Sequence, residues 1–305
     1  MSNPLQLSRR KFLAASGFFA LASRLGSAET LVETPEPILD IHQHTSYTGR
    51  TNAQLIAHQR AMGITKTVLL PAGRIYGLEA GCGGNETVVS VAKEHPDEFV
   101  FFANEVPDFP DARAEIETYL KLGAIGIGEQ KFRLDCDSKP IEMMAELAQE
   151  YKVPVLLHFQ HGTYNTSFDR FHIILEKYPK TNFIGHAQTW WGNIDKNHDP
   201  KILYPIGKVT SGGITDRLLS DYPNMYGDLS AGSGLNALLR DEAHTIGFLQ
   251  RHQEKLLFGS DCNDAIGRGP GCQGTQTIAT IRRLSPSKAV ERKLLYENAR
   301  RLLRI

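Results

Sequence analysis

The feature that most constrains how this chain can fold is an alternation. Eight short runs rich in Val, Ile, Leu and Phe, at 38–42, 66–70, 99–103, 124–128, 153–158, 182–186, 225–229 and 255–259, are separated by longer stretches with helical spacing. In those stretches apolar residues recur at intervals of three and four, as at Ile141, Met144, Ala145 and Ala148, the pattern of a helix lying on a sheet. Helices are expected at 52–62, 85–95, 112–122, 140–151, 168–177, 214–221 and 235–252, with 275–283 and 287–303 after the last strand. Alternating β and α units require a parallel sheet, since a crossover helix returns the chain to the same edge. Eight units in about 265 residues predict an α/β fold, a closed (β/α)8 TIM barrel in preference to an open doubly wound sheet. No Gly-x-Gly-x-x-Gly directly follows a strand candidate, which argues against a dinucleotide fold.

Charge narrows the partners. Lys plus Arg and Asp plus Glu each number 34, so no basic excess draws the chain to nucleic acid or an anionic membrane, and a small-molecule substrate is expected. Four cysteines, Cys82, Cys136, Cys262 and Cys272, form no Cys-x-x-Cys pair and are too few for a disulfide scaffold. Cys262 with Cys272, and less readily Cys82 with Cys136, are pairings open to an oxidising compartment; free buried thiols are the alternative.

The N-terminus reads as an address. Arg9 and Arg10 precede an apolar stretch at 12–25, and Gly26, Ser27 and Ala28 follow. This order of charge, apolar run and small residues resembles a twin-arginine export signal over 1–28. The apolar run is shorter than the roughly 20 residues of a bilayer span, so no stable membrane span is expected. The expectation is recognition by the twin-arginine export machinery, cleavage after Ala28 and a periplasmic or other extracytoplasmic barrel domain over 37–305. A homo-oligomer is left open.

In a barrel of this kind the active site is built at the carboxyl ends of the strands, and here those ends carry metal-ligand residue types. The first strand ends in His42-Gln43-His44, where a two-residue period points both imidazoles the same way. Alone the motif is common. The fourth run leads into Glu129, the fifth ends in His158, the sixth in His186, and the eighth continues through Gly259 and Ser260 to Asp261. Any one of these can be a capping or core residue; all five together are better explained by a shared ion, since buried His, Asp and Glu need partners.

This set, with a closing segment Tyr296-Glu-Asn-Ala-Arg-Arg-Leu-Leu303, resembles the amidohydrolase superfamily, and within it the amidohydrolase-related group that includes aminocarboxymuconate semialdehyde decarboxylases, dicarboxylate lactonases and related hydratases. The resemblance implies that His42, His44, His158 and Asp261 hold a divalent ion, zinc being expected. It leaves His186 two roles, ligand of a second ion or general acid/base beside a single one. Binuclear members place a carboxylated lysine at the end of strand four, where this chain has Glu129 and, two residues on, Lys131; a glutamate can also bridge, so the ion count stays open, with one favoured.

The expected chemistry is hydrolysis of an ester, lactone or amide bond in a small carboxylated molecule, with an ion-activated water and Asp261 and His186 moving its proton. A decarboxylase or hydratase uses the same site for a lyase reaction, and a non-catalytic exported metal-binding protein is the reading of another class. Arg74 and Arg133 are candidates to grip a carboxylate, His161, Tyr164, Trp190 and Trp191 to wall the pocket, and Asp228 to orient a ligand histidine. Export gives the first test: replacing Arg9 and Arg10 by lysine should leave uncleaved precursor in the cytoplasm, and normal processing of that variant would refute the route.

Overall fold

The computed structural model describes residues 36–73 and 81–305; the expected signal at 1–28 and the candidate Arg74 lie outside the described residues. Eight parallel strands follow in order: β1 (Leu39–Gln43), β2 (Lys66–Leu69), β3 (Phe99–Phe101), β4 (Ile127–Gln130), β5 (Val155–His158), β6 (Phe183–His186), β7 (Met225–Asp228) and β8 (Leu256–Leu257). Two seams complete the ring. At the first, Ala103 pairs with Ile127, and the Ala103 N–H donates to the Gly126 carbonyl at 2.9 Å. At the second, the Ile41 N–H donates to the Phe258 carbonyl at 3.1 Å, and the Asp261 N–H to the His42 carbonyl at 2.8 Å. The chain is thus a closed (β/α)8 barrel, as the alternation predicts.

Around it lie α1 (Asn52–Met62), α2 (Asn85–Glu94), α3 (Ala112–Lys121), α4 (Lys139–Tyr151), α5 (His172–Lys177), α6 (Gln188–Gly192), α7 (Ile214–Asp221), α8 (Ala231–Leu239), α9 (Glu242–Arg251), α10 (Gln273–Leu284), α11 (Lys288–Arg292) and α12 (Asn298–Leu303). The start of α1 is set by a capping box: the Thr51 hydroxyl accepts from the Gln54 N–H, and the Gln54 side chain from the Thr51 N–H. The stretch 235–252, expected as one helix, is two. Asp241 breaks it, because its carboxylate accepts from the backbone of His244 and Val209 and so starts α9 afresh. The expected helix at 168–177 begins as a single 3-10 turn, Phe168–Arg170, before α5. Five-residue α6 is too short to show a period in sequence.

Strand alternation separates two cores. Leu39, Ile41, Val68, Leu70, Phe102, Leu156, Ile184 and Leu257 fill the barrel interior and rest on Ala299, Leu302 and Leu303 of α12, which plugs the amino-terminal end. The opposite strand faces, with Leu69, Phe101, Val155, Leu157 and Phe183, pack on the helices. With its lower half packed, the barrel is open to polar side chains only at the carboxyl end.

Two strands break the alternation where it matters. Leu39 and Ile41 face inward, so a strict two-residue period would turn Asp40, His42 and His44 toward the helices together. In β1, however, Asp40 lies opposite Thr67 and Gln43 opposite Leu69, three residues against two. This bulge lets Asp40 face α1, where it accepts from Gln59 Nε2 at 2.8 Å, and turns both histidines into the barrel. In β4, Ile127 lies opposite Val155 and Gln130 opposite Leu157, and the same count turns Glu129 inward. Bulges beside active sites re-aim side chains in this way.

Trp190 supplies a check on the packing. Its indole lies flat against β6, and a Cβ built on Gly185 would come within 2.4 Å of the ring. Gly185→Ala should therefore cost about 1–3 kcal/mol of stability by overpacking, read as a lowered midpoint in denaturant with an unchanged slope.

Candidate metal centre

Five side chains meet at the carboxyl end of the barrel, and hydrogen bonds behind them decide what they present. His42 Nδ1 donates to Asp228 Oδ2 at 2.7 Å, and His44 Nδ1 to the Leu70 carbonyl at 2.8 Å. His186 Nδ1 lies 3.0 Å from Ser230 Oγ and 3.2 Å from Asp228 Oδ2. With Nδ1 protonated in each ring, the Nε2 lone pairs face the pocket. His42 Nε2 and His44 Nε2 stand 3.2 Å apart, and Glu129 Oε2 is 3.6 Å from each. Asp261 places Oδ1 at 3.5 Å from His44 Nε2 and Oδ2 at 3.6 Å from His186 Nε2.

Three observations fit this space to a divalent ion. Two imidazole nitrogens converge to 3.2 Å, where a cation can stand between them. Asp261 Oδ1 is buried with no hydrogen-bond partner, which is costly unless something positive faces it. The donors, imidazole nitrogen and carboxylate oxygen, suit zinc, manganese and their neighbours. At this centre two sets converge, His42, His44 and Asp261, and His42, Glu129 and His186, sharing His42.

Electrostatics agree. Burial favours a neutral His42, but the carboxylates of Asp261 and Asp228 outweigh it and hold its pKa well above the ordinary imidazole value. His186 is also raised: burial and His42 oppose protonation, and hydrogen bonds to Asp228 and Asp261 prevail. Burial likewise opposes ionisation of Glu129 and Asp261, yet the surrounding imidazoles hold both well below the carboxylate range. Asp228, against the same burial, is pulled down to about 2 by His42 and His186. Three buried carboxylates thus draw positive charge into the pocket, and a metal ion supplies it without placing protons on the inward-facing lone pairs.

His158, expected among the ligands, sits one step back. Its Nδ1 donates to Glu129 Oε1 at 2.6 Å, and its Nε2 lies 3.3 Å from Gln160 Oε1. Burial lowers its pKa and keeps the ring neutral, so in this arrangement it orients Glu129. Asp228, expected to orient a ligand histidine, accepts from His42 Nδ1. Tyr47, for which no sequence signal exists beyond its place three residues after His44, lies edge-on to the His44 ring with centroids 5.1 Å apart. The Asp261 carboxylate beside it, with burial, keeps its phenol protonated. Burial, then Asp261 and Glu129, push the Cys82 thiol up and favour its neutral form.

The substrate candidates divide. Arg133 and Lys131 both lie over the Tyr164 ring, at 6.0 and 5.4 Å from its centroid, and Tyr164 stands edge-on to His158. His161 is exposed and lines a neighbouring cavity of about 810 Å³ whose walls include Gln160 but none of the five converging residues. Trp190 and Trp191 do not wall the pocket. Trp190 is fully buried against Phe159 and Phe168, and Trp191 donates its indole N–H to the Asp228 carbonyl at 2.8 Å behind β7; each large ring finds more apolar contact between sheet and helices than at a polar mouth. The four cysteines are unpaired.

No family model matches this sequence, and no curated protein matches it. Solved structures do. An amidohydrolase from Burkholderia multivorans with bound HEPES has 13% identity over 88% of this chain and 99% of its own, with a TM-score of 0.60. A probable 2-pyrone-4,6-dicarboxylic acid hydrolase from Acinetobacter baumannii, with citric acid bound, has 13% identity over 88% and 99%, with a TM-score of 0.57. A 5-carboxyvanillate decarboxylase from Novosphingobium aromaticivorans, complexed with manganese and 4-hydroxy-3-methoxy-5-nitrobenzoic acid, has 16% identity over 85% and 80%, with a TM-score of 0.52. At these identities the likeness establishes the shared barrel, a fold on which both hydrolases and decarboxylases occur.

The geometry makes metal content the direct measurement. His42→Ala with His44→Ala should abolish high-affinity binding of a divalent ion at this centre, and Asp228→Ala, which removes the support behind His42 and His186 and the bonds to Ser230, should weaken it by about 10–100-fold. Undiminished affinity in the double variant would remove these residues from the site.

Proposed function

We propose that this protein is a metal-dependent hydrolase acting on an ester, lactone or amide bond of a small carboxylated molecule, with zinc as the ion. The observation that carries the reading is Asp261: a buried carboxylate whose Oδ1 has no hydrogen-bond partner, beside three inward-facing imidazole nitrogens. His42, His44, Glu129 and Asp261 would hold the ion, with His158 orienting Glu129 and His186 left free beside it. When bound, such an ion lowers the pKa of water and polarises a substrate oxygen.

The chain's own groups then divide the work. Asp261 accepts the water's proton, and its N–H bond to the His42 carbonyl fixes it at the pocket wall. Its φ of 41° is a left-handed backbone conformation uncommon for a non-glycine residue, which at a site like this marks a side chain aimed by its surroundings. His186, between Asp228 and Asp261, passes the proton to the leaving group. Lys131 and Arg133 at Tyr164 receive a substrate carboxylate. Residues 1–28 would direct export to the periplasm before this chemistry is used.

A lyase reading keeps the same site: decarboxylation would begin from a carboxylate beside the ion and need no nucleophilic water. It is favoured by the manganese-containing decarboxylase that shares the barrel. Turnover in oxygen-18 water, with lactones, esters, amides and aromatic carboxylates as substrates, separates the two. Label in a newly formed carboxylate is expected; carbon dioxide release without label gives the case to the lyase. Asp261→Asn should lower kcat by about 10²–10⁴-fold through loss of the base, and an unaltered kcat would remove Asp261 from the proton path. No turnover of any substrate by fully metallated protein would favour a non-catalytic binding role.

A further inference from the structure

A second cluster lies behind the β8–β1 seam, outside the catalytic centre and unused by it. His58 of α1, Cys262 immediately after Asp261, and Cys272 at the start of α10 are all buried and bring one imidazole nitrogen and two sulfurs within 4.8 Å of one another. We propose that these three residues bind a zinc ion at a second, structural site.

The distances carry the argument. With zinc–sulfur bonds of about 2.3 Å and zinc–nitrogen bonds of about 2.0 Å, a tetrahedral centre sets a sulfur–sulfur edge of about 3.8 Å and a sulfur–nitrogen edge of about 3.5 Å. Cys262 Sγ and Cys272 Sγ are 3.8 Å apart, and Cys272 Sγ is 3.5 Å from His58 Nε2. The thiols therefore stand at the edges of a zinc tetrahedron and well beyond the roughly 2.05 Å of a disulfide.

The hydrogen bonds behind His58 prepare it as a ligand. Gln59 Nε2 donates to Asp40 Oδ2 and Thr67 Oγ1, each at 2.8 Å, which commits Gln59 Oε1 to accept. It lies 3.0 Å from His58 Nδ1, so that nitrogen carries the proton and Nε2 presents a lone pair to the sulfurs, the usual support of a metal-bound histidine. Asp264 Oδ2 lies 3.9 Å from the same nitrogen but accepts from the Ile266 and Gly267 N–H groups, so the fourth vertex is left to a water, while Met62 Sδ covers Cys272 Sγ at 3.6 Å. Binding releases the two thiol protons to solvent, and the two thiolates neutralise the dication. The ion would staple α1 to α10 and the loop that carries Asp261, which lie more than two hundred residues further along the chain.

The test uses full-length protein isolated with zinc and without added reductant. X-ray absorption at the zinc edge should show sulfur scatterers at about 2.3 Å, and they should persist in the His42→Ala/His44→Ala variant, so the result does not depend on the catalytic reading. Cobalt substitution should give thiolate charge-transfer bands in the near ultraviolet, absent from Cys272→Ser. Serine can still accept from the Thr275 N–H as Cys272 Sγ does and so keeps the start of α10. That variant should also lose about one equivalent of zinc per chain. No sulfur shell in the wild type, or a Cys262–Cys272 disulfide in the protein as isolated, would overturn the proposal, and neither measurement requires a variant that folds.

Discussion

The rest of the structure depends on one buried carboxylate, Asp40. Its Oδ1 accepts from the His42 N–H at 3.0 Å and the Ser260 N–H at 2.8 Å; its Oδ2 accepts from Gln59 Nε2 at 2.8 Å and from the Ser260 hydroxyl. The first bond stabilises the bulge of β1, the Ser260 bonds draw the end of β8 onto β1, and the Gln59 bond ties α1 to both. A buried carboxylate with four donors is satisfied, whereas the same group with one donor removed would carry a desolvation penalty of about 1–3 kcal/mol or more. Barrel closure and the aim of His42 are thus settled by the same group.

From that seam the site follows. Ser260 fixed to Asp40 sets the next residue, Asp261, across from His42, and the Asp261 N–H completes the seam on the His42 carbonyl. Asp228 on the neighbouring strand holds His42 and His186 from behind, and Asn104 supports β4 by donating to the Glu129 carbonyl at 2.7 Å. Each converging residue is positioned by a buried partner on a different strand. Such an arrangement holds ligands against the mutual repulsion of inward-facing lone pairs and carboxylates, which no local interaction would tolerate.

The barrel divides labour along its axis. The amino-terminal half is filled by branched and aromatic side chains over α12 and gives stability; the carboxyl-terminal half holds charge that burial would expel were it not mutually compensated. The proposed second ion would be held by Cys262, the residue after Asp261, so that the loop carrying Asp261 would be tied down there as well.

The sequence by itself determined the eightfold alternation, hence the barrel, and the polar identities of the strand ends, because both are local: a period of two or of about three and a half is written in neighbouring residues. His42, His44, Glu129, His186 and Asp261 were legible for that reason, and Asp228 by its place on the seventh strand. Tertiary structure decided what those residues face. The bulges of β1 and β4 are invisible to periodicity, since they arise from pairing three residues against two on another strand. The same holds for His158, drawn to Glu129; for Trp190, drawn under β6 by apolar area; and for His58, whose nearness to Cys262 and Cys272 exists only once the barrel closes and brings together side chains more than two hundred residues apart.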